Sequence, residues 1–551
     1  MSAAGGQRAA EFLPGTTLGA SALRARSQIV ADTLSWLRHK VPSVFSERHD
    51  LHLDSRRVKE GDVFIALRGD TVDGRNYLPE AAANGAVAAL VDARGWDSGG
   101  GFSTPDLPVR AVDELDQVLG PLAADFYRHP SEHLLSIAVT GTNGKTSSTQ
   151  WIAQLLTGAG RRCAVIGTIG LGFAGEALAE SLLTTPDPVS LQRDVRALLD
   201  AGAQALAMEV SSIGLQQGRL NGMKVDVALF TNLTRDHLDY HGSMQQYEAA
   251  KSLLFEWPTL SHAVVNLDDS VGRRLVLKLA QRGIDVIGYS VAGRAEATDA
   301  FAAKLGIASH LTAQRVRATA RGIAFDVALD GVAMSTEVPL VGQFNVENLL
   351  GVLGVLHACG IDFARAMAAL PQLEAPTGRM QQVAVPDAPL AVVDYAHTPD
   401  ALAKALAALR PLVIARSTMA KGCATRSAKL WVVFGAGGDR DQGKRPAMGA
   451  VAAEGADVVV VTSDNPRSED ASAICAQIAT GACDARGLVT IVDRGDAIAH
   501  AIASACSIDV VLIAGKGHES YQIVGKSKAP FSDVAHARAA LAKRAGAASA
   551  T

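Results

Sequence analysis

The sequence predicts an α/β protein of three domains: a small N-terminal α/β domain at 1–112, a central parallel-sheet domain with a phosphate loop at 113–374, and a Rossmann-like α/β domain at 375–551. Three observations carry this. The 551 residues exceed what one core holds at ~100 to 200 residues per domain. Short apolar runs alternate with stretches of helical spacing, the pattern of a mainly parallel sheet. Nearly every run ends in polar or glycine-rich residues, which places ligands at the carboxyl ends of the strands.

Within the first domain, residues 63–67 read as a strand, 77–84 as a helix and 87–91 as a second strand. The first thirty residues carry Arg8, Arg24 and Arg26 but no continuous apolar core, so they read as a disordered tail and not as a secretory signal. Residues 98–108 are Gly/Pro-rich and read as a surface loop, and 115–127 as a helix leading into the second domain. That domain opens with a strand at 134–139, passes through a glycine loop into a helix at 146–156, and continues with strands at 205–210, 225–230 and 263–267. The third domain has strands at 390–393, 430–434, 457–461 and 509–514. Residues 413–428 are polar, basic and aperiodic and read as a surface insertion without chemistry.

The chain is 48% hydrophobic and 20% charged, with 52 basic against 56 acidic side chains and a formal charge of −4. Such a balance supports packed cores and points away from nucleic acid or an anionic membrane as partner. No run approaches the ~18 apolar residues of a membrane span. Six cysteines without a CxxC pair argue against a disulfide framework or structural zinc, and suit reduced, small apolar residues in the cytoplasm.

The chemistry begins at Gly141, Thr142, Asn143, Gly144, Lys145 and Thr146. A strand, a glycine turn and a helix starting at Lys145 aim backbone N–H groups and the positive helix end at one point, where phosphate oxygens can sit. Lys145 would neutralise β/γ oxygens and the Thr146 hydroxyl would bind Mg²⁺. Val139 stands where the general G-x-x-x-x-G-K-[ST] pattern has its first glycine. Glu209 ends an apolar strand and would face the phosphates, where a carboxylate can hold a metal. Asn232-Leu233-Thr234-Arg235-Asp236-His237-Leu238-Asp239-Tyr240-His241-Gly242 forms a polar cluster directly after another apolar strand. Taken singly, a strand-end glutamate or a lone histidine is more often structural; their succession behind a phosphate loop favours a site.

Together with Glu209-Val210-Ser211-Ser212 and Tyr247-Glu248-Ala249-Ala250-Lys251, these motifs resemble the Mur ligase family, the ATP-dependent amide-forming enzymes of peptidoglycan synthesis. The resemblance runs from about Leu53 to about Asp533. It implies domains that bind a UDP-sugar, ATP and an incoming amino acid in turn. It also implies that Lys251 is carbamylated, that Thr146 and Glu209 hold one Mg²⁺, and that His237 with carbamylated Lys251 holds another. ATP contacts would come from the phosphate loop with Ser147, from Asn345 and Asn348 in Gly342-Gln343-Phe344-Asn345-Val346-Glu347-Asn348, and from Arg379 and Asp394.

By resemblance, Leu53, Ser55, Asp70, Thr71 and Val72 belong to the UDP site of the third of the four successive ligases, and Thr184, Thr185, Ser211, Gln217 and Arg219 contact its muramyl dipeptide. Leu183 and Ile213 depart from that pattern, which often has Asn and His there. In Asp464-Asn465-Pro466-Arg467 the arginine suits bidentate binding of the far carboxylate that distinguishes meso-diaminopimelate from lysine. Arg440, Gly515 and Glu519 match further diaminopimelate contacts. The expectation is a cytoplasmic, monomeric ligase for ATP, UDP-N-acetylmuramoyl-L-alanyl-D-glutamate and meso-diaminopimelate. The alternatives are folylpolyglutamate synthase, which shares the loop, and a nonenzymatic sensor of UDP-muramyl precursors.

Overall fold

In the computed structural model, residues 20–548 are described except for 47–48, 70–71, 97–105, 182, 292–306, 308, 420–425, 484 and 486. The chain divides into two compact units, one built from Met1–Tyr289, Glu296–His310 and Gly354–Gly360, the other from Ser290–Ala295, Leu311–Leu353 and Ile361–Thr551. The three-domain α/β expectation holds, and the first unit takes in both the small N-terminal sheet and the phosphate-loop sheet.

In the first unit β1 (Leu51–His52), β2 (Val63–Ala66), β3 (Ala88–Asp92) and β4 (Val109–Val112) form a parallel sheet in sequence order. The expected tail is in fact, from residue 20 onward, a helix, Ala20–Lys40, and its Val30, Leu34 and Leu37 are buried in the core under this sheet. Burial of each such side chain stabilises by ~1.5 to 3 kcal/mol. Their spacing is helical, but polar residues separate them and hide the stripe. The earlier part of the tail, and most of the loop expected at 98–108, lie outside the described residues.

The second sheet of this unit comprises β5 (Leu135–Thr140), β6 (Cys163–Gly167), β7 (Gly170–Phe173), β8 (Ala205–Glu209), β9 (Val227–Phe230), β10 (His262–Asn266) and β11 (Asp285–Val291). Its order is β11-β10-β9-β5-β8-β6-β7, and β7 alone of these runs antiparallel. The phosphate-loop strand β5 is therefore central, between β8 and β9. Buried residues such as Ala138, Leu206, Met208 and Phe230 fill one face. Both faces are covered, so these strands read as continuous apolar runs.

In the second unit β12 (Ser309–Ala318), β13 (Ile323–Leu329) and β14 (Val332–Val338) form an antiparallel ladder. Beyond it β15 (Gln381–Val383), β16 (Leu390–Asp394), β17 (Leu430–Phe434), β18 (Val458–Val461), β19 (Leu488–Thr490) and β20 (Val510–Ala514) pair in the order β15-β16-β20-β17-β18-β19, parallel except for β15. A hairpin of β21 (Tyr521–Val524) and β22 (Ser527–Pro530) follows.

Residues 413–419 correct the expected insertion: they are the last turns of the helix Pro399–Met419, which continues through Pro411. Leu412 and Val413 are buried, and Arg416 donates to the carbonyls of Ile508 and Ser507 at 3.0 and 2.7 Å. Packing and these two bonds hold a helix that proline alone would be expected to end. The five described cysteines are all free; Cys163 and Cys475 are buried, and Cys483 and Cys506 are exposed. Among the described residues no helix is long and apolar enough to cross a membrane.

Candidate active site

The loop after β5 turns at Gly141, whose φ of 147° suits only glycine and where a Cβ would lie 1.9 Å from Thr231 Oγ1. Such closeness lets the strand ends of β5 and β9 meet: Thr142 N donates to Asn232 O at 2.8 Å and Asn143 N to Asn232 Oδ1 at 3.0 Å. The helix Lys145–Gly158 starts directly behind, with Thr146 buried and Ser147 in its first turn. Lys145 Nζ folds back onto the carbonyls of Gly141 and Thr142 at 2.9 and 3.0 Å. Lys251, from the helix Met244–Ser252, donates to the same Gly141 carbonyl at 2.9 Å. Burial of Lys251, and then the charge of Lys145, push the Lys251 amine down to about 6. Its Nζ lies 4.6 Å from the centre of the Tyr247 ring, and the His237 ring meets Tyr247 edge-on at 6.1 Å. One tyrosine thus ties two expected metal ligands into one patch.

Glu209, at the end of β8, is buried and accepts from Thr146 Oγ1 at 3.0 Å, from Thr168 N at 2.8 Å and from Thr168 Oγ1 at 3.1 Å. Thr146 and Glu209 present hard oxygens side by side at the mouth of the phosphate loop, a donor pair that fits Mg²⁺. His237 is half-exposed beside Asp236, and the Lys251 amine is no ligand for a hard cation unless it is carbamylated. Among the described residues no group of three or more His, Cys, Asp or Glu side chains could hold a metal by itself.

From Glu209 the polar network runs on. Thr168 Oγ1 lies 3.1 Å from Thr184 Oγ1, Thr185 Oγ1 donates to Glu209 O at 3.0 Å, and Ser211 N donates to Thr185 Oγ1 at 3.0 Å. Arg219 donates to Thr185 O at 2.7 Å and to Gln217 Oε1 through Nε and Nη2, while Gln217 Nε2 donates to Tyr240 Oη. All five residues expected at the dipeptide therefore lie on one continuous hydrogen-bonded surface.

A cavity of about 350 Å³ opens nearby, lined by His52, Leu53, Arg57, Leu183, Asp187 and Arg193 among others. Leu53 and Leu183 supply apolar wall. Ser55 is buried and donates to Glu80 Oε2 at 2.6 Å, and Val72 is exposed. Asp70 and Thr71 lie outside the described residues. Asp194 also lines the cavity, and burial pushes its carboxyl up to about 6. Its folded pKa lies above the unfolded value, so stability falls as pH rises from about 4 to about 6 and stays lost above that. Asp194→Asn is expected to stabilise the protein by on the order of 2 kcal/mol at pH 7.5 and by much less near pH 4, at one proton-binding difference of about two pKa units. Denaturant melts at the two pH values check this; an equal shift at both would refute it.

In the second unit, Asn345 Nδ2 donates to Val341 O at 2.7 Å and Asn348 Nδ2 to Asn345 Oδ1 at 3.3 Å. Asp394 ends β16 and accepts from Met380 N and Ala396 N, both at 2.9 Å, and its burial raises its pKa. The Arg379 guanidinium lies 5.0 Å from the Tyr395 ring centre, and its Nε is buried without a partner among the described residues. Gly378, at φ 67°, lets this segment touch the loop after β20, since a Cβ there would lie 2.0 Å from Gly517 C.

Asp464, Asn465, Pro466 and Arg467 follow β18. Arg467 sits at φ 53° and donates from Nη1 to Gly438 O at 2.7 Å; Nε and Nη2 have no partner among the described residues. Arg440 is exposed and also without a partner among them. Both arginines approach Gly437, with Arg467 Nη1 3.0 Å and Arg440 Cγ 3.9 Å from where its Cβ would be. Gly515 N donates to Asp394 O at 3.1 Å, and Glu519 Oε2 accepts from Asn465 Nδ2 and Lys516 Nζ, each at 2.9 Å.

The chain matches the Mur ligase middle domain over residues 139–356, the Mur ligase glutamate ligase domain over 378–517, and the Mur ligase family catalytic domain over 47–127. It is 48% identical, over 94% of its length and 96% of the relative's, to the UDP-N-acetylmuramoyl-L-alanyl-D-glutamate--2,6-diaminopimelate ligase of Ralstonia nicotianae. The chain belongs to the Mur ligase family. It is 46% identical to the ligase of the same name from Pseudomonas aeruginosa, over 90% of this chain and 95% of that one. A solved structure named for the same ligase is 35% identical with a TM-score of 0.64, covering 90% of this chain and 95% of that one. The folylpolyglutamate synthase of Mycobacterium tuberculosis, 19% identical with a TM-score of 0.52 over 71% of this chain and 91% of its own, shares the fold alone.

Two residues of this Mur ligase site escaped sequence reading. Thr168 follows an apolar strand, a signal available but lost in a short bend before β7. Lys516 lies between Gly515 and Gly517, and an isolated lysine gives no sign that it is buried.

Proposed function

We propose that this chain joins meso-2,6-diaminopimelate to UDP-N-acetylmuramoyl-L-alanyl-D-glutamate with ATP as co-substrate, in cytoplasmic synthesis of peptidoglycan precursors. The observation that carries the reading is Arg467, held at one guanidinium nitrogen by Gly438 O and left with two unpartnered nitrogens for a carboxylate fork.

The γ-phosphoryl group of ATP passes to an oxygen of the D-glutamate side-chain carboxylate, and ADP leaves. The acceptor amine then attacks the acyl carbon, phosphate departs, and the amine nitrogen loses its proton. Gly141 to Ser147 cradle the phosphates, and Lys145 neutralises the transferring group. Asn345, Asn348, Arg379 and Asp394 serve the nucleotide. Leu53, Ser55, Asp70, Thr71 and Val72 take the UDP end, and Thr184, Thr185, Ser211, Gln217 and Arg219 the dipeptide. Arg440, Asp464, Asn465, Pro466, Arg467, Gly515 and Glu519 orient the acceptor. Mg²⁺, when bound, screens the charge that builds between phosphates and the substrate carboxylate. Thr146 and Glu209 would hold one ion, and His237 with Lys251 as its carbamate the other. Support for the carbamate is chemical: an amine neutral above about pH 6, at a buried position, is the form that adds CO₂ and releases a proton. The functional domains are 1–112, 113–374 and 375–551, acting in a monomer.

Phosphate release with the UDP-dipeptide and ATP, comparing meso-diaminopimelate with L-lysine, tests the proposal. Discrimination of ~10³-fold or more is expected from a site that would leave buried polar groups unpaired with lysine. Equal turnover with lysine would refute the specificity, and no turnover with either would refute the ligase.

A further inference from the structure

Lys516 follows β20 and is fully buried. Its Nζ donates to Asn465 Oδ1 at 3.0 Å and to Glu519 Oε2 at 2.9 Å, and lies 3.9 Å from Asp464 Oδ1. All three partners belong to the proposed acceptor site. Asn465 Oδ1 also accepts from Ile523 N at 3.0 Å. With two donors on that oxygen, the amide has one allowed orientation, and Nδ2 is turned onto Glu519 Oε2 at 2.9 Å. Lysine, asparagine and glutamate form a closed triangle. It occupies Glu519 Oε2 twice and leaves Oε1 without a partner among the described residues.

We infer that Lys516 is a positioning residue that sets the acceptor specificity of this site, by locking Asn465 and Glu519 in one arrangement and cancelling one of the two negative charges of Asp464 and Glu519. The inference rests on the ligase reading above. A far end carrying both an ammonium and a carboxylate matches one open carboxylate oxygen beside the Arg467 fork. A far end carrying an ammonium alone, as in L-lysine, would gain most from two uncompensated carboxylates, and Lys516 removes that advantage. Loss of the lysine charge removes one of the two donors on Asn465 Oδ1 and one of the two on Glu519 Oε2, and sets the Asp464 and Glu519 carboxylates against each other. The lesion falls on acceptor binding, because Asn465 and Glu519 both belong to the proposed acceptor site.

Steady-state phosphate release with full-length Lys516→Met and Lys516→Gln, at saturating ATP and UDP-dipeptide, tests this. The expected result is a KM for meso-diaminopimelate raised about tenfold or more, with kcat and the KM for ATP within about threefold of wild type, the split of an interaction made in binding. The preference for meso-diaminopimelate over L-lysine is expected to fall by about tenfold as well. An unchanged KM for meso-diaminopimelate in a variant that melts like wild type would overturn the inference. So would KM values for acceptor and ATP that rise together, or a failure of both variants to fold, which would mark Lys516 as structural only. Wild type inactive with meso-diaminopimelate would instead refute the ligase reading itself.

Discussion

Lys251→Ala is expected to lower phosphate release by ~10²- to 10³-fold or more, the scale seen when one charged group is removed from a phosphoryl-transfer or oxyanion site. Part of the rate is expected to return when a short carboxylic acid is added to fill the space. The amine that is lost lies 2.9 Å from the Gly141 carbonyl and is 2% exposed, so alanine leaves a cavity open to a small carboxylate and not to a large one. An amine bound there needs only CO₂ to become the carboxylate that acetate or formate would imitate. Carbon-13 bicarbonate should give wild type one carbamate resonance that Lys251→Ala lacks. Full activity in the variant, or rescue by a primary amine in place of the acid, would refute the carbamate role.

Arg467→Ala is expected to cut kcat/KM for meso-diaminopimelate by ~10²- to 10⁴-fold, the loss of two charge-assisted bonds at ~1.5 to 3 kcal/mol each. Nucleotide affinity should survive, since among the described residues Arg467 bonds to Gly438 and, through its backbone, to the β21 segment. Arg467→Lys separates charge from geometry. It keeps the cation and the left-handed backbone at φ 53°, but a single ammonium cannot span two carboxylate oxygens. It is therefore expected to resemble alanine in acceptor KM. Wild-type kinetics in Arg467→Lys would show that charge alone suffices and would sink the fork. Isothermal titration with a nonhydrolysable ATP analogue checks the nucleotide arm.

Strand positions were the most readable part of this chain because buried parallel strands are continuous apolar runs. The strand 430–434 coincides with Leu430–Phe434, and the loop from Gly141 to Thr146 lies at a strand end as its spacing requires. The ladder of β12, β13 and β14 was not read at all. β14 is largely exposed, so its alternation of Val, Met, Thr and Val carries little contrast with a polar loop. Ala20–Lys40 and the end of Pro399–Met419 were missed where tertiary packing overrides local sequence. Motif order singled out the residues expected at the dipeptide, whereas the link from Thr184 to Glu209 runs through Thr168, whose place after an apolar strand is lost in the short bend before β7. Lys516 shows the same limit, as burial of a cation is a property of three separate segments and not of a motif.

The backbone of Gly378 and the peptide of Gly517 and His518 approach so closely that a Cβ at 378 would sit 2.0 Å from one carbonyl carbon and 2.1 Å from the next amide nitrogen. Neither atom belongs to a side chain that could swing aside. Every missense change in the Gly378 codon therefore forces two main-chain segments apart and carries Arg379 with it. A saturation library at this codon should return glycine alone among functional clones. For a bacterium under selection by a compound lodged against this contact, single-step resistance at position 378 is closed.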